Sequence, residues 1–214
     1  MKKSILVKII LLLLIAIFIM RCSPKETSTG TAELSASSKS WIPFYGTESV
    51  VFKNDTNIAV YTGTGREDYF ENVRYMSDQS GFITMQEDYY AELERNSIIF
   101  ESSSSPYFFS YYLEKNKGET GEWDMLHVTI ADGDYYKNQI KLVVFETDEF
   151  NKGEIYKFQA TKNLNGHVFD SVYFWTQKQR PFELYYTKSL GIIAYKASSN
   201  KLWVIVTDST SAIK

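Results

Sequence analysis

The fold turns on the stretch "ITMQEDYYAELERN", Ile83–Asn96. Gln, Glu, Ala and Leu favour helix. Yet Ile83, Met85, Tyr89, Ala91 and Leu93 all fall on odd positions, and only Glu87 breaks the set. A strand with one buried face needs that period of two, because successive side chains point to opposite faces. Propensity is weak against such a pattern, so the strand reading is preferred. If the folded part of the chain holds a helix, it is here.

The flanking sequence repeats the alternation. Val50–Lys53 and Ile58–Thr62 are β-branched and aromatic, with "NDTN" between them as a turn. Arg66–Met76 follows. Tyr107–Glu114 and Trp123–Ala131 flank the turn Asn116–Glu122, and "ADGD" leads to Ile140–Glu146. Glu154–Thr161, His167–Thr176, Glu183–Thr187, Leu190–Lys196 and Leu202–Thr207 complete the run. Turn signals at this spacing predict a single all-β antiparallel domain from Trp41 to Lys214, a sandwich or strongly curved half-barrel of roughly ten strands.

Aromatics make up 16% of the chain and cluster in adjacent groups such as Tyr107–Phe109 and Tyr111–Tyr112. On a strand, each doublet puts one ring on each face. Cross-strand pairing in the core accounts for one face. An exposed ring on the other would suit sugars, peptide or lipid. The candidates for such a face are Tyr107, Phe109, Tyr111, Trp123, Tyr135, Trp175 and Tyr185.

Ahead of the domain, Lys2, Lys3 and Lys8 precede an apolar run of twelve residues, Ile9–Met20. A bilayer span needs about 20 residues, so residues 1–21 read as an export signal. The alternative is an uncleaved anchor helix with Lys8 snorkelling to the interface. The run ends at the sole cysteine, Cys22. Ser23–Ser40 follows, nine of its eighteen residues Ser or Thr. With Leu34 its one large apolar residue, it reads as a flexible tether, about 24 Å across on average and on the order of 60 Å when stretched.

Removing the basic residues Lys2, Lys3, Lys8 and Arg21 takes the formal charge from −3 to −7. That argues against nucleic acid, whose phosphates want a basic patch, and against direct docking on anionic lipid. With one cysteine there is no intrachain disulfide.

The residues offer little catalytic chemistry. His127 and His167 are not spaced as a metal pair. No Gly-x-Ser-x-Gly elbow is present. Asp132–Asp134 lacks the calcium-loop spacing. The acidic groups Glu67, Asp68, Glu71 and Glu146, Asp148, Glu149 single out no opposed pair. No catalytic residue, metal site or cofactor is expected. A binding or structural module comes first, a carrier of an apolar ligand or lipid second, and a glycan-acting hydrolase third.

Two resemblances add to this reading. The segment ending at Ile19, Met20, Arg21, Cys22 resembles the signal of bacterial lipoproteins, in which the cysteine is acylated and becomes the mature N-terminus. Arg21 departs from the small residue that pattern places before the cysteine. "WIPFYGTESVVFKND" (Trp41–Asp55), "DSVYFWTQ" (Asp170–Gln177) and "SLGIIAYKASSNKLWVI" (Ser189–Ile205) resemble the opening and closing strands of small uncharacterised lipoproteins of Bacteroidetes. These resemblances imply an envelope protein, held in the outer membrane by a lipid on Cys22 and facing the periplasm or the cell surface. They imply no reaction and no named ligand or protein partner. Cys22→Ser is expected to remove a lipid adduct, read by mass, and to release the protein from membranes. Retention of that variant in membranes would instead indicate the uncleaved helix.

Overall fold

A strand that alternates apolar and polar residues must hide one face, and here the described residues form twelve strands that hide it in a single curled sheet. A computed structural model describes residues 25–55, 57–78, 87–118, 121–132, 136–146, 156–176, 182–196 and 201–207. Strands β2 (Ser49–Asn54), β3 (Asn57–Asp78), β4 (Glu87–Glu101), β5 (Tyr107–Gly118), β6 (Gly121–Asp132) and β7 (Tyr136–Glu146) form a meander. A second meander returns through β8 (Lys157–Leu164), β9 (His167–Thr176), β10 (Glu183–Thr187), β11 (Gly191–Lys196) and β12 (Leu202–Ile205). β12 pairs antiparallel with β2, which joins the two meanders into one sheet. The curl brings β7 against β9 and β10. The result is the strongly curved half-barrel of the sequence reading.

The ambiguous stretch is strand wherever it is described. β4 puts Ala91 and Leu93 on a buried face, as the odd-position pattern requires. The first two expected strands are a hairpin, Asn54 pairing with Asn57. Asp55 takes the left-handed conformation at its turn (φ 43°), which Asp tolerates. Ile58–Thr62 and Arg66–Met76 are one continuous strand, with a bulge between Gly63 and Arg66. The bulge has a local cause. A Cβ on Gly63 would sit 2.1 Å from the carbonyl oxygen of Gly46, so the two backbones cross where only glycine fits.

The concave side is filled by rings. Phe52, Tyr61, Phe100, Phe109, Tyr111, Tyr186 and Tyr195 are almost fully buried. Tyr61 and Phe109 lie 4.2 Å apart centroid to centroid, and Phe109 and Tyr195 lie 5.2 Å apart. Such pairs add about 0.5–1.5 kcal/mol beyond area burial. The buried phenols are partnered, as buried polar groups must be. The hydroxyls of Tyr61 and Tyr195 are 2.9 Å apart, Tyr111 Oη accepts from the Ile192 amide at 2.9 Å, and Tyr186 Oη donates to the Trp41 carbonyl. Gly191 (φ 73°) lets that contact form, since a Cβ there would lie 2.7 Å from Tyr111 Oη.

The tether expectation fails over the described part of Ser23–Ser40. Lys25–Ala32 forms β1, which pairs in parallel with the first half of β4. Ala36–Lys39 forms a short helix, α1, and Leu34 and Ser38 are buried. Apolar burial cannot order so polar a segment, but hydrogen bonds can. β1 uses the open backbone groups of β4, and Thr29 Oγ1 donates to the Tyr90 carbonyl at 3.0 Å. Ser35 caps α1 by accepting from the Ser38 amide at 3.0 Å.

Two carboxylates on the sheet hold the rest. Glu94 accepts from the Leu34 amide at 2.8 Å and pairs with Lys39 at 2.6 Å. Asp124, fully buried, accepts from the Ser38 hydroxyl at 2.5 Å and the Ser35 amide at 3.2 Å, and lies 3.2 Å from the Lys115 ammonium. Lys115 also meets Glu122 at 3.3 Å. Breaking a buried ion pair by removing one partner costs about 3–5 kcal/mol. Asp124→Ala is therefore expected to lower the unfolding free energy in urea by about that amount. A loss below about 1 kcal/mol would show that the segment is held without it.

Candidate functional site

Three of the six described rings of the aromatic face expected from sequence are core. Phe109 and Tyr111 point into the concave side, because the odd residues of β5 face inward and β9–β11 cover them. Tyr185 is buried too. Its ring stacks on Phe174 at 5.8 Å, and the Lys162 ammonium lies 4.4 Å from the Phe174 ring centroid. Tyr107 is half-buried and packs on Tyr195 at 6.2 Å. Trp123 is half-buried with its ring over Gly118, and Trp175 is half-buried against the core. Tyr135 and Cys22 lie outside the described residues. The six described rings do not form one binding face: Phe109, Tyr111 and Tyr185 are core, and Tyr107, Trp123 and Trp175 lie half-buried.

Three other places collect functional groups. The first is on the convex face of β3–β6, where Tyr69, Arg95, Glu114 and then Ser97, Tyr112, His127 are cross-strand neighbours. The Arg95 guanidinium is buried, 3.0 Å from Glu71 and 3.8 Å from Glu114, and it donates to the Lys115 carbonyl. His127 Nε2 lies 2.8 Å from Glu114 Oε1. Burial opposes the charge of Glu114, but the hydrogen bond and charge of His127, with Asn116 and Arg95, outweigh it and hold the carboxyl below its ordinary value. Burial also raises the Tyr112 phenol. The cluster is a closed set of mutual partners that fastens four strands together.

The second place is a cleft of about 480 Å3 between two hairpin turns and the end of β12, lined by Lys53, Asp55, Asn165, His167 and Val204–Thr207. His167 sits there on β9 while His127 is on β6, so the two histidines are not brought together. Among the described residues, no group of three or more His, Cys, Asp or Glu side chains converges as a metal site would require.

The third place is a cleft of about 640 Å3 where the segment following α1 passes β9 and β10. Its walls are Trp41, Pro43 and Tyr173, and its polar groups are Asp170, Ser171, Lys188 and Ser189. Trp41 and Tyr173 meet edge to face at 5.5 Å, and the Lys188 ammonium lies 5.2 Å from the Trp41 ring centroid. Ser171 is held at φ 54° within β9. A non-glycine residue in that region costs on the order of 1–3 kcal/mol, and the departure places the exposed Asp170 and Ser171 side chains at the cleft. Searches of family models, curated proteins and solved structures find no match to this chain.

Sequence reading missed this third cleft. Trp41 was legible only as the start of the domain, and Tyr173 only as one ring in "DSVYFWTQ". Their meeting depends on a contact across 132 positions, for which no local pattern exists. The one available signal was "WIP", Trp41–Pro43, a large ring outside any alternating run.

The Glu114 site carries a pH dependence of definite sign. A carboxyl whose folded value is depressed stabilises the fold fully above its ordinary value of 4.5, and that contribution is lost as pH falls through the lowered folded value. Glu48, which accepts from the Tyr45 and Gly46 amides, is lowered as well and acts in the same direction. Glu114→Gln is expected to flatten the fall of stability below about pH 4.5 while leaving the share due to Glu48. Urea midpoints between pH 3 and 6 measure this, and an unchanged acid limb would contradict it.

Proposed function

We propose that the chain is an exported lipoprotein of the cell envelope, held through a lipid on Cys22, whose domain is a binding module that takes a saccharide in the Trp41–Tyr173 cleft. The anchoring half of this reading is supported by the charged front, the short apolar run and the position of the one cysteine. The binding half rests on one observation, the meeting of two aromatic walls with a carboxylate, an ammonium and hydroxyls in the same cleft. Sugars present apolar C–H faces and flanking hydroxyls. Aromatic walls suit the first, while Asp170, Ser171 and Lys188 supply acceptors and donors for the second.

Two other readings have less support. A carrier needs room inside the curl, yet the concave side is occupied by the Phe52–Tyr61–Phe109–Tyr195 cluster, and both clefts described above lie at the margin. A glycan hydrolase needs two carboxylates free to act across the substrate. The buried pair on the concave side, Glu94 and Asp124, is committed to Leu34, Ser35, Ser38, Lys39 and Lys115.

A glycan array and calorimetry on the purified protein test the binding half. A charge-assisted hydrogen bond is worth about 1.5–3 kcal/mol, so Asp170→Ala should weaken a saccharide hit roughly tenfold or more, with an unchanged urea midpoint because Asp170 is exposed. Failure of neutral and acidic glycans alike to bind would overturn the saccharide reading.

A further inference from the structure

We infer that the far end of the β3–β4 ribbon is held against the bilayer, so that the domain stands on the membrane surface instead of trailing from it. This rests on anchorage at or just before Cys22, as proposed above, whether by lipid or by an uncleaved helix.

The argument is one of chain length and register. β1 begins at Lys25, three residues beyond Cys22. Its first backbone partner on β4 is Glu87, and Glu87 is paired on its other side with Asp78, the last residue of β3. The chain therefore enters the domain at the end of the ribbon. Three residues reach at most about 11 Å, so Lys25, where β1 joins the ribbon end, cannot lie further than that from Cys22. A free segment running to Ser40 would allow on the order of 60 Å.

The strand is not free to peel away and restore that reach. β1 runs eight residues alongside β4 and then continues into the segment that Glu94 and Asp124 hold. Ala32 packs with Ala91 and Leu93, and Thr31 Oγ1 donates to Glu92 at 3.2 Å. Withdrawing it would break this ladder and expose both buried carboxylates.

The surface that meets the membrane is thus chosen by tether length, not by charge. Glu26, Asp78, Glu87 and Asp88 outnumber Lys25 and Arg74 near this end, so anionic headgroups offer no attraction there. The position should accordingly persist at high salt. The cleft beside Lys53 and Asp55 lies by the opposite end of β3 and faces away from the bilayer.

The test uses full-length protein in vesicles containing lipids with a quencher on the headgroup. One fluorescent label is placed at Glu26→Cys or at Lys53→Cys, both exposed positions. Quenching at position 26 should exceed that at position 53 several-fold, at low and high salt alike. Inserting twenty Gly and Ser residues between Ser23 and Pro24, a coil spanning about 25 Å, should erase the difference. Equal quenching at the two positions in the protein without the insert overturns the inference. Labelling of the protein with no added cysteine reports separately on acylation. If Cys22 itself reacts, the lipid reading fails, and the same comparison on the Cys22→Ser background, retained by its helix, decides the orientation.

Discussion

The carboxylate of Asp124 is where the half-barrel and its N-terminal segment become one object. It stands on the concave side of β6, level with Lys115 on β5, and it reaches Ser35 and Ser38 of the short helix across the opening of the curl. An ionised group so deeply buried survives only if its partners are complete. Here they come from two sources, a lysine of the sheet and a hydroxyl and an amide of the segment. The segment must be in place for the charge to be tolerated, and the charge gives a polar segment its reason to be in place. Trp41 and Phe44 follow in the chain and pack on the core, so the wall of the larger cleft inherits its position from this contact.

The aromatic interior solves a different problem. A half-barrel has more concave area than aliphatic side chains on one sheet fill easily, and large rings fill it at low conformational cost. Phenols bring hydroxyls into that interior; Tyr186 ties the segment after α1 to the sheet, and two other hydrogen bonds reach across the sheet itself. Tyr61 to Tyr195 links β3 to β11, and Tyr111 to Ile192 links β5 to β11. Burial lifts the phenols of Tyr61, Tyr111 and Tyr195, so all three stay protonated above the usual tyrosine range.

Alternation made the strands legible. Ala91 and Leu93 of β4 and the even residues of β6, Leu126, Val128 and Ile130, are buried as their spacing requires. Two things escaped. The first is β1, because Ser and Thr carry no apolar signature and the strand is ordered by backbone groups that are open because the β4–β5 pairing stops at Arg95. The second is which ring of each doublet faces inward. Parity assigns Tyr111 and Tyr112 to opposite faces but does not name the faces, and the curvature that distinguishes them arises from contacts between β7 and β9–β10. The larger cleft escaped for the same reason, being built from residues that meet only after the sheet has curled.

The place of β12 has a consequence for how the chain is made. The last described strand, β12, lies not at an edge but in the middle, between β11 and β2. Until Leu202–Ile205 is present, the sheet exists as two pieces, each with an unpaired inner edge, and the ring cluster linking Tyr61 to Tyr195 spans the break. Closure over so long a loop is entropically slow. Synthesis from the N-terminus therefore cannot complete the sheet early, and the sheet stays open until β12 arrives. Under the export proposed above, late closure is an advantage, because a finished half-barrel would not pass through a membrane.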